Sequence, residues 1–127
     1  MSRGGSAADV EARLTQVLGA WAAASLAAGA LLAVPERTRG FGRQTAAWGA
    51  VDGLIAYAGG RRRARTGPTG PRRLRTVLLV NAGLDVGYLA AGGRLLRTRW
   101  RGDGLAVLVQ GAFLLVLDSA AARALRD

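Results

Sequence analysis

The chain contains no cysteine and no histidine. Disulfides, thiol chemistry and imidazole bases are thereby excluded, as are the zinc, haem and iron–sulfur sites that depend on those ligands. No cofactor is expected. Lysine is missing too, so all 18 basic residues are arginine, against 8 acids. Aromatics are only 6% of the 127 residues, whereas half of the chain is apolar and glycine occurs 19 times. Such a composition suits closely approaching Ala- and Gly-rich helices better than a core of large side chains, and the length fits one domain.

A net charge of +10 brings a soluble, basic nucleic-acid-binding bundle into consideration. The placement of the arginines argues against it. They cluster between long apolar blocks, as membrane-bordering segments do, and no amphipathic face or aromatic-interleaved patch collects them. No nucleic-acid partner is therefore expected. The expected partner is a lipid bilayer with anionic headgroups, facing the arginines.

Residues 1–10 read as a polar, Gly/Ser-rich tail without the basic region and cleavage site of a secretory leader. A first helix is expected over 12–34, because Leu14 to Val34 carries no charge and is about long enough to cross a hydrocarbon layer of roughly 30 Å. Ser25-x-x-x-Gly29 within it would let a neighbouring backbone come close. Pro35 to Gly40 breaks the helix and turns the chain. A second helix is expected over 43–60, ended by Gly59-Gly60 before Arg61-Arg62-Arg63, with a basic loop over 61–75. A third follows over 74–93, and a turn with Trp100 at the headgroup boundary leads to a fourth over 103–124. The expectation is an all-α, transmembrane four-helix bundle, with 1–127 as a single membrane domain. Four crossings put both termini on one side. That side collects eleven arginines against seven on the other, which places a multi-pass protein in the cell membrane with both termini cytoplasmic.

Three acids fall inside the apolar blocks. Asp52, Asp85 and Asp118 are spaced at equal intervals of 33 residues, and the same offset lays Gly59-Gly60-Arg61 on Gly92-Gly93-Arg94. Gln44 and Gln110 are two such intervals apart. Duplication would explain the register. Equal helix and loop lengths explain it more simply. An unpaired charge in an apolar interior costs several kcal/mol, so each acid must be protonated, paired or turned toward a polar cavity.

Helical spacing sorts the polar residues into stripes: Gln44, Trp48 and Asp52; Asn81, Asp85 and Tyr88; Asp103, Gln110 and Asp118. Helices facing a shared polar centre would show this concentration, whereas lipid-facing positions would be apolar. The candidate ligand- or ion-binding residues are therefore Asp52, Asp85, Asp118, Asn81, Gln110, Gln44, Trp48 and Tyr88, with Asn81 and Gln110 extending the three acids into a polar track. Such acids could share protons, hold a small hard cation through oxygen ligands, or bind a cationic group. The competing account makes Asn, Gln and protonated Asp simple interhelical glue, at roughly 0.6 to 2 kcal/mol per bond.

Enzyme motifs are incomplete, and no enzymatic activity is expected. Asp52-Gly53-Leu54-Ile55-Ala56 opens like the alcohol phosphotransferase motif D-G-x-x-A-R, but Tyr57 stands where Arg is needed. Gly102-Asp103 matches half of the intramembrane aspartyl protease G-x-G-D, with Trp100 in place of the first Gly.

Taken together, Trp48-Gly49-x-x-Asp52-Gly53-Leu54-Ile55-Ala56, Asn81-x-Gly83-Leu84-Asp85-x-Gly87-Tyr88 and Gly102-Asp103-Gly104-Leu105 through Asp118 resemble small four-helix integral membrane proteins of bacteria whose function is unknown. The resemblance covers Gln44 to Asp118 and implies a membrane bundle, with no activity attached. Small multidrug carriers are similar in size and helix number, but Glu11 lies close to the end of its helix beside Arg13. Two functions follow: a small homodimeric carrier or ion-handling protein that uses an intramembrane carboxylate cluster for protons or cations, or a non-catalytic accessory or scaffold subunit whose polar residues only pack helices.

Overall fold

A computed structural model describes residues 6–125. It contains four α-helices: α1 (Ala7–Leu32), α2 (Arg39–Thr66), α3 (Pro71–Leu95) and α4 (Arg101–Ala124), with a short 3₁₀ turn at Glu36–Thr38. Arg3, Arg126 and Asp127, the first two of which enter the arginine count above, lie outside the described residues. The architecture is the expected all-α four-helix bundle. Three helices, α1, α3 and α4, are long and apolar enough to cross a membrane. The second helix is not among them, because arginines border its apolar stretch on both sides and Asp52 interrupts it.

All four helices are longer than expected or shifted in their limits, and each difference has a local cause. α1 begins at Ala7, inside the segment read as a tail, because Ser6 and Asp9 form a reciprocal capping box. The supposed loop over 61–75 shrinks to Gly67–Gly70, since α2 continues through Arg61–Thr66 and α3 starts at Pro71. A Gly-Gly pair costs only about 1 kcal/mol per residue inside a helix, and arginine is a good helix former. What stops α2 is Gly67, whose φ of 83° no side-chain-bearing residue adopts cheaply. Pro71 then opens α3 at the position where a missing N–H costs nothing. Gly92-Gly93 likewise fails to end α3, which reaches Leu95.

The chain forms two hairpins, α1–α2 and α3–α4, each closed by glycines near its turn. A Cβ on Gly29 would come within 2.7 Å of the Gly42 carbonyl oxygen, and one on Gly104 within 2.7 Å of the Gly92 carbonyl oxygen. Only bare backbones can approach so closely, and the contact replaces the large-residue packing that this composition lacks. Gly49 extends the first seam, where a Cβ would meet the Ala22 carbonyl oxygen at 2.9 Å.

α4 is the central element, packing on α3, α2 and α1, whereas α2 and α3 barely touch. The turn end of the bundle is fastened by an ion pair from Arg43 on α2 to Asp103 on α4, at 3.3 Å. At the tail end, Leu74, Leu78 and Ala122 form a small apolar cluster with Leu14, Ala121 and Leu125.

The side-chain distribution is the reverse of that in a water-soluble bundle. Ser25, Thr45, Asp52, Asp85, Asp103, Gln110 and Asp118 are all buried. Large apolar side chains meanwhile point outward, as with Leu54 and Val116, each 68% exposed. In water that arrangement forfeits the main driving force of folding. Against acyl chains it costs nothing on the outside and reserves the interior for polar contacts.

Candidate functional site

The gap left between α2 and α3 is a cavity of about 400 Å³ that all four helices help to line. Trp48 and Asp52 reach it from one face of α2, and Asn81, Asp85 and Tyr88 reach it from one face of α3. The 3.6-residue period puts residues three and four apart on the same side, which is why each stripe arrives intact. Asp118 arrives from α4, so all three acids of the 33-residue series open onto one space.

Two aromatic side chains bracket the acids. Trp48, one turn before Asp52, and Tyr88, one turn after Asp85, meet edge to face with centroids 5.0 Å apart. This contact spans the cleft between α2 and α3 and closes the cavity toward the turn end. On the α4 side, Asp118 is buried and lines the same cavity as Asp85. Gly111 packs α4 against this part of α3, where a Cβ would stand 3.3 Å from Tyr88 Cβ and 3.4 Å from the Asp85 carbonyl oxygen.

Satisfaction of the buried polar groups is uneven. Asp52 is 2% exposed and Asp85 3% exposed, yet Asp52 Oδ2 and Asp85 Oδ2 have no hydrogen-bond partner. An unpaired buried acceptor costs about 1–3 kcal/mol, more if it is charged, so such atoms are rare unless something else supplies a donor. Both belong to side chains that line the cavity. Among the described residues no three acids come together in a group that could hold a metal ion.

Two of the expected site residues lie elsewhere. Gln110 is fully buried but turns toward α1, where the Trp21 indole N–H donates to its Oε1 at 2.8 Å and its Nε2 donates to Ser25 Oγ at 3.2 Å. Trp21 is held there by a parallel stack on Phe113, with centroids 3.9 Å apart. Gln110 is thus a saturated link between helices and no part of a polar track. Gln44 is half-buried and does not line the cavity. Asp103, grouped by spacing with Gln110 and Asp118, is the partner of Arg43 at the turn end.

The cavity also has a polar tail end that spacing within single helices did not disclose. Glu11 lines it and accepts hydrogen bonds from the Thr69 backbone N–H at 2.9 Å and from Thr69 Oγ1 at 2.7 Å. Arg62 donates to the same Thr69 hydroxyl at 2.9 Å, and Arg63 on α2 donates to Thr15 Oγ1 on α1 at 3.1 Å. These contacts tie the short Gly67–Gly70 connection to α1 and hold the bottom of the cleft together. In the sequence Glu11 is only an acid close to a helix end beside Arg13, and its long-range partner Thr69 is what places it at the cavity.

Residues 17–119 match a family of unknown function (DUF6992), and the chain belongs to that family. No curated protein and no solved structure matches it.

Proposed function

We propose that this is a small multi-pass protein of the cell membrane that handles protons or cations at the Asp52, Asp85 and Asp118 carboxylates, as a carrier rather than an enzyme. What carries this reading is the pair of buried carboxylate oxygens, Asp52 Oδ2 and Asp85 Oδ2, that have no protein donor and belong to side chains lining one cavity. Interhelical glue would use its hydrogen-bonding capacity on a neighbouring helix, as Gln110 does with Trp21 and Ser25. The acids at the cavity leave theirs open to a proton or a bound cation. Outward-facing apolar side chains and inward-facing polar ones support the membrane setting. All four helices then cross; the 28 residues of α2 give a length of about 42 Å. The arginine-rich tail end, with Arg62 and Arg73 at the cavity margin, faces the cytoplasm and its anionic lipid headgroups.

Infrared spectra of the purified protein in lipid nanodiscs, recorded across pH and after exchange into heavy water, test this. The expected result is a protonated-carboxyl band that titrates reversibly, shifts on deuteration and vanishes in the Asp52→Asn/Asp85→Asn/Asp118→Asn variant. A band that neither exchanges nor titrates over the range in which the protein stays folded would sink the proposal. The scaffold reading, in which the acids are inert links, would then stand, since Gln110 shows that one buried polar residue of this bundle already has that role.

A further inference from the structure

We infer that the cavity between α2 and α3 takes a lipophilic organic monocation, an ammonium- or phosphonium-type charge carried on an apolar body, which enters sideways from the bilayer. The inference rests on the carboxylate site proposed above and specifies what that site binds.

Three features of the cavity select this chemistry. Its walls between the acids and the tail end are aliphatic, with Leu14, Leu18, Val51, Ile55, Val77 and Leu84 prominent among them, so a bare hydrated ion would have to give up its water for hydrocarbon along most of the surface. Its size, about 400 Å³, falls within the roughly 300–1,000 Å³ typical of sites for small organic molecules. Its anionic end is flanked by the faces and edges of Trp48 and Tyr88, groups that attract diffuse organic cations. A compact metal ion is poorly served here, because no three acids group closely enough to ligate one among the described residues. One positive charge on an organic body suits the two unpartnered oxygens, Asp52 Oδ2 and Asp85 Oδ2.

The route of entry follows from exposure. Val51, Ile55, Val77 and Leu84 line the cavity and are 44 to 56% exposed, as side chains at the rim of an open cleft are and those of an enclosed cavity are not. The cleft between α2 and α3 is therefore open along its side, where acyl chains would lie. Access from the tail end is narrower, since Glu11, Thr69 and Arg62 are bonded to one another across it. Arg62 and Arg73 at that end also repel a cation approaching from water.

Equilibrium binding of radiolabelled tetraphenylphosphonium to the full-length protein in nanodiscs provides the test, with empty nanodiscs subtracted and the neutral triphenylphosphine oxide as competitor. Saturable binding is expected, weakened by about tenfold or more in Asp52→Asn and in Asp85→Asn, unchanged in Asp103→Asn and not displaced by the neutral analogue. Val77→Trp, which fills the side opening while keeping every acid, should weaken binding as well; size-exclusion profiles confirm that each variant remains folded. Displacement by the neutral compound, or equal binding to Asp52→Asn, Asp85→Asn and the parent protein, overturns the inference. Absence of saturable binding while the infrared carboxyl band still titrates overturns it too but leaves the carboxylate site standing. Absence of both removes the two proposals together.

Discussion

α4 presents two polar side chains, Gln110 and Asp118, to different neighbours, and the two surroundings could hardly be less alike. Toward α1, Gln110 has a donor and an acceptor at 2.8 and 3.2 Å and an aromatic stack beside it. Toward α3 and α2, Asp118 opens onto a cavity shared with two acids that each keep an unpartnered oxygen. Both residues are buried polar groups in an apolar helix, and burial alone would rank them equally. The difference is in how completely neighbours satisfy them. A saturated polar group stabilises the bundle, and an unsaturated one is held in place by it.

This contrast can be broken most forcefully at the glycine seam. Gly104→Val should lower stability in detergent by about 3 kcal/mol, because overpacking at a backbone contact forces α3 and α4 apart, and it should separate Asp85 from Asp118; thermal unfolding followed by circular dichroism reads the first effect. Next in size is Gln110→Ala. Leaving the Trp21 indole and the Ser25 hydroxyl without partners should cost about 2 kcal/mol, with a shift in Trp21 fluorescence as the stack on Phe113 loosens. Arg43→Gln removes an ion pair whose arginine is 58% exposed, so about 0.5 kcal/mol is expected, and the difference from the parent protein should shrink in high salt. Smallest of all is Asp52→Asn, for which unfolding should change by less than about 0.5 kcal/mol, since no protein donor to Asp52 Oδ2 is lost. Were Asp52→Asn to destabilise as much as Gln110→Ala, the distinction between the two sides of α4 would collapse, and the acids would count as helix links.

Much of this was legible in the sequence. The apolar blocks announce the helices, and three- and four-residue spacing delivers Trp48 with Asp52 and Asn81 with Asp85 and Tyr88 to one cavity. Spacing describes one helix at a time, however. It puts Gln110 near Asp118 on α4 but cannot say that Trp21 and Ser25, 89 and 85 residues away, have already claimed it. Glu11 was obscure for the same reason, its partner Thr69 being 58 residues distant. Helix limits failed differently. Gly59-Gly60 was read as a stop, although glycine ends a helix only where the backbone turns to positive φ, and that happens at Gly67. The cap at Ser6 could have been found, because Ser6-x-x-Asp9 is a short form of the reciprocal cap that marks helix starts.

The paired glycine closures, Gly29 on Gly42 and Gly92 on Gly104, make each hairpin a prefabricated half. The halves are joined covalently only through Gly67–Gly70, and neither owns a complete site: Asp52 belongs to the first, Asp85 and Asp118 to the second. Two separately synthesised fragments, divided at Pro68, would each already be folded back on themselves. The cavity lined by Asp52, Asp85 and Asp118 would come into being only when the fragments found one another, so pairing of the halves creates the space itself.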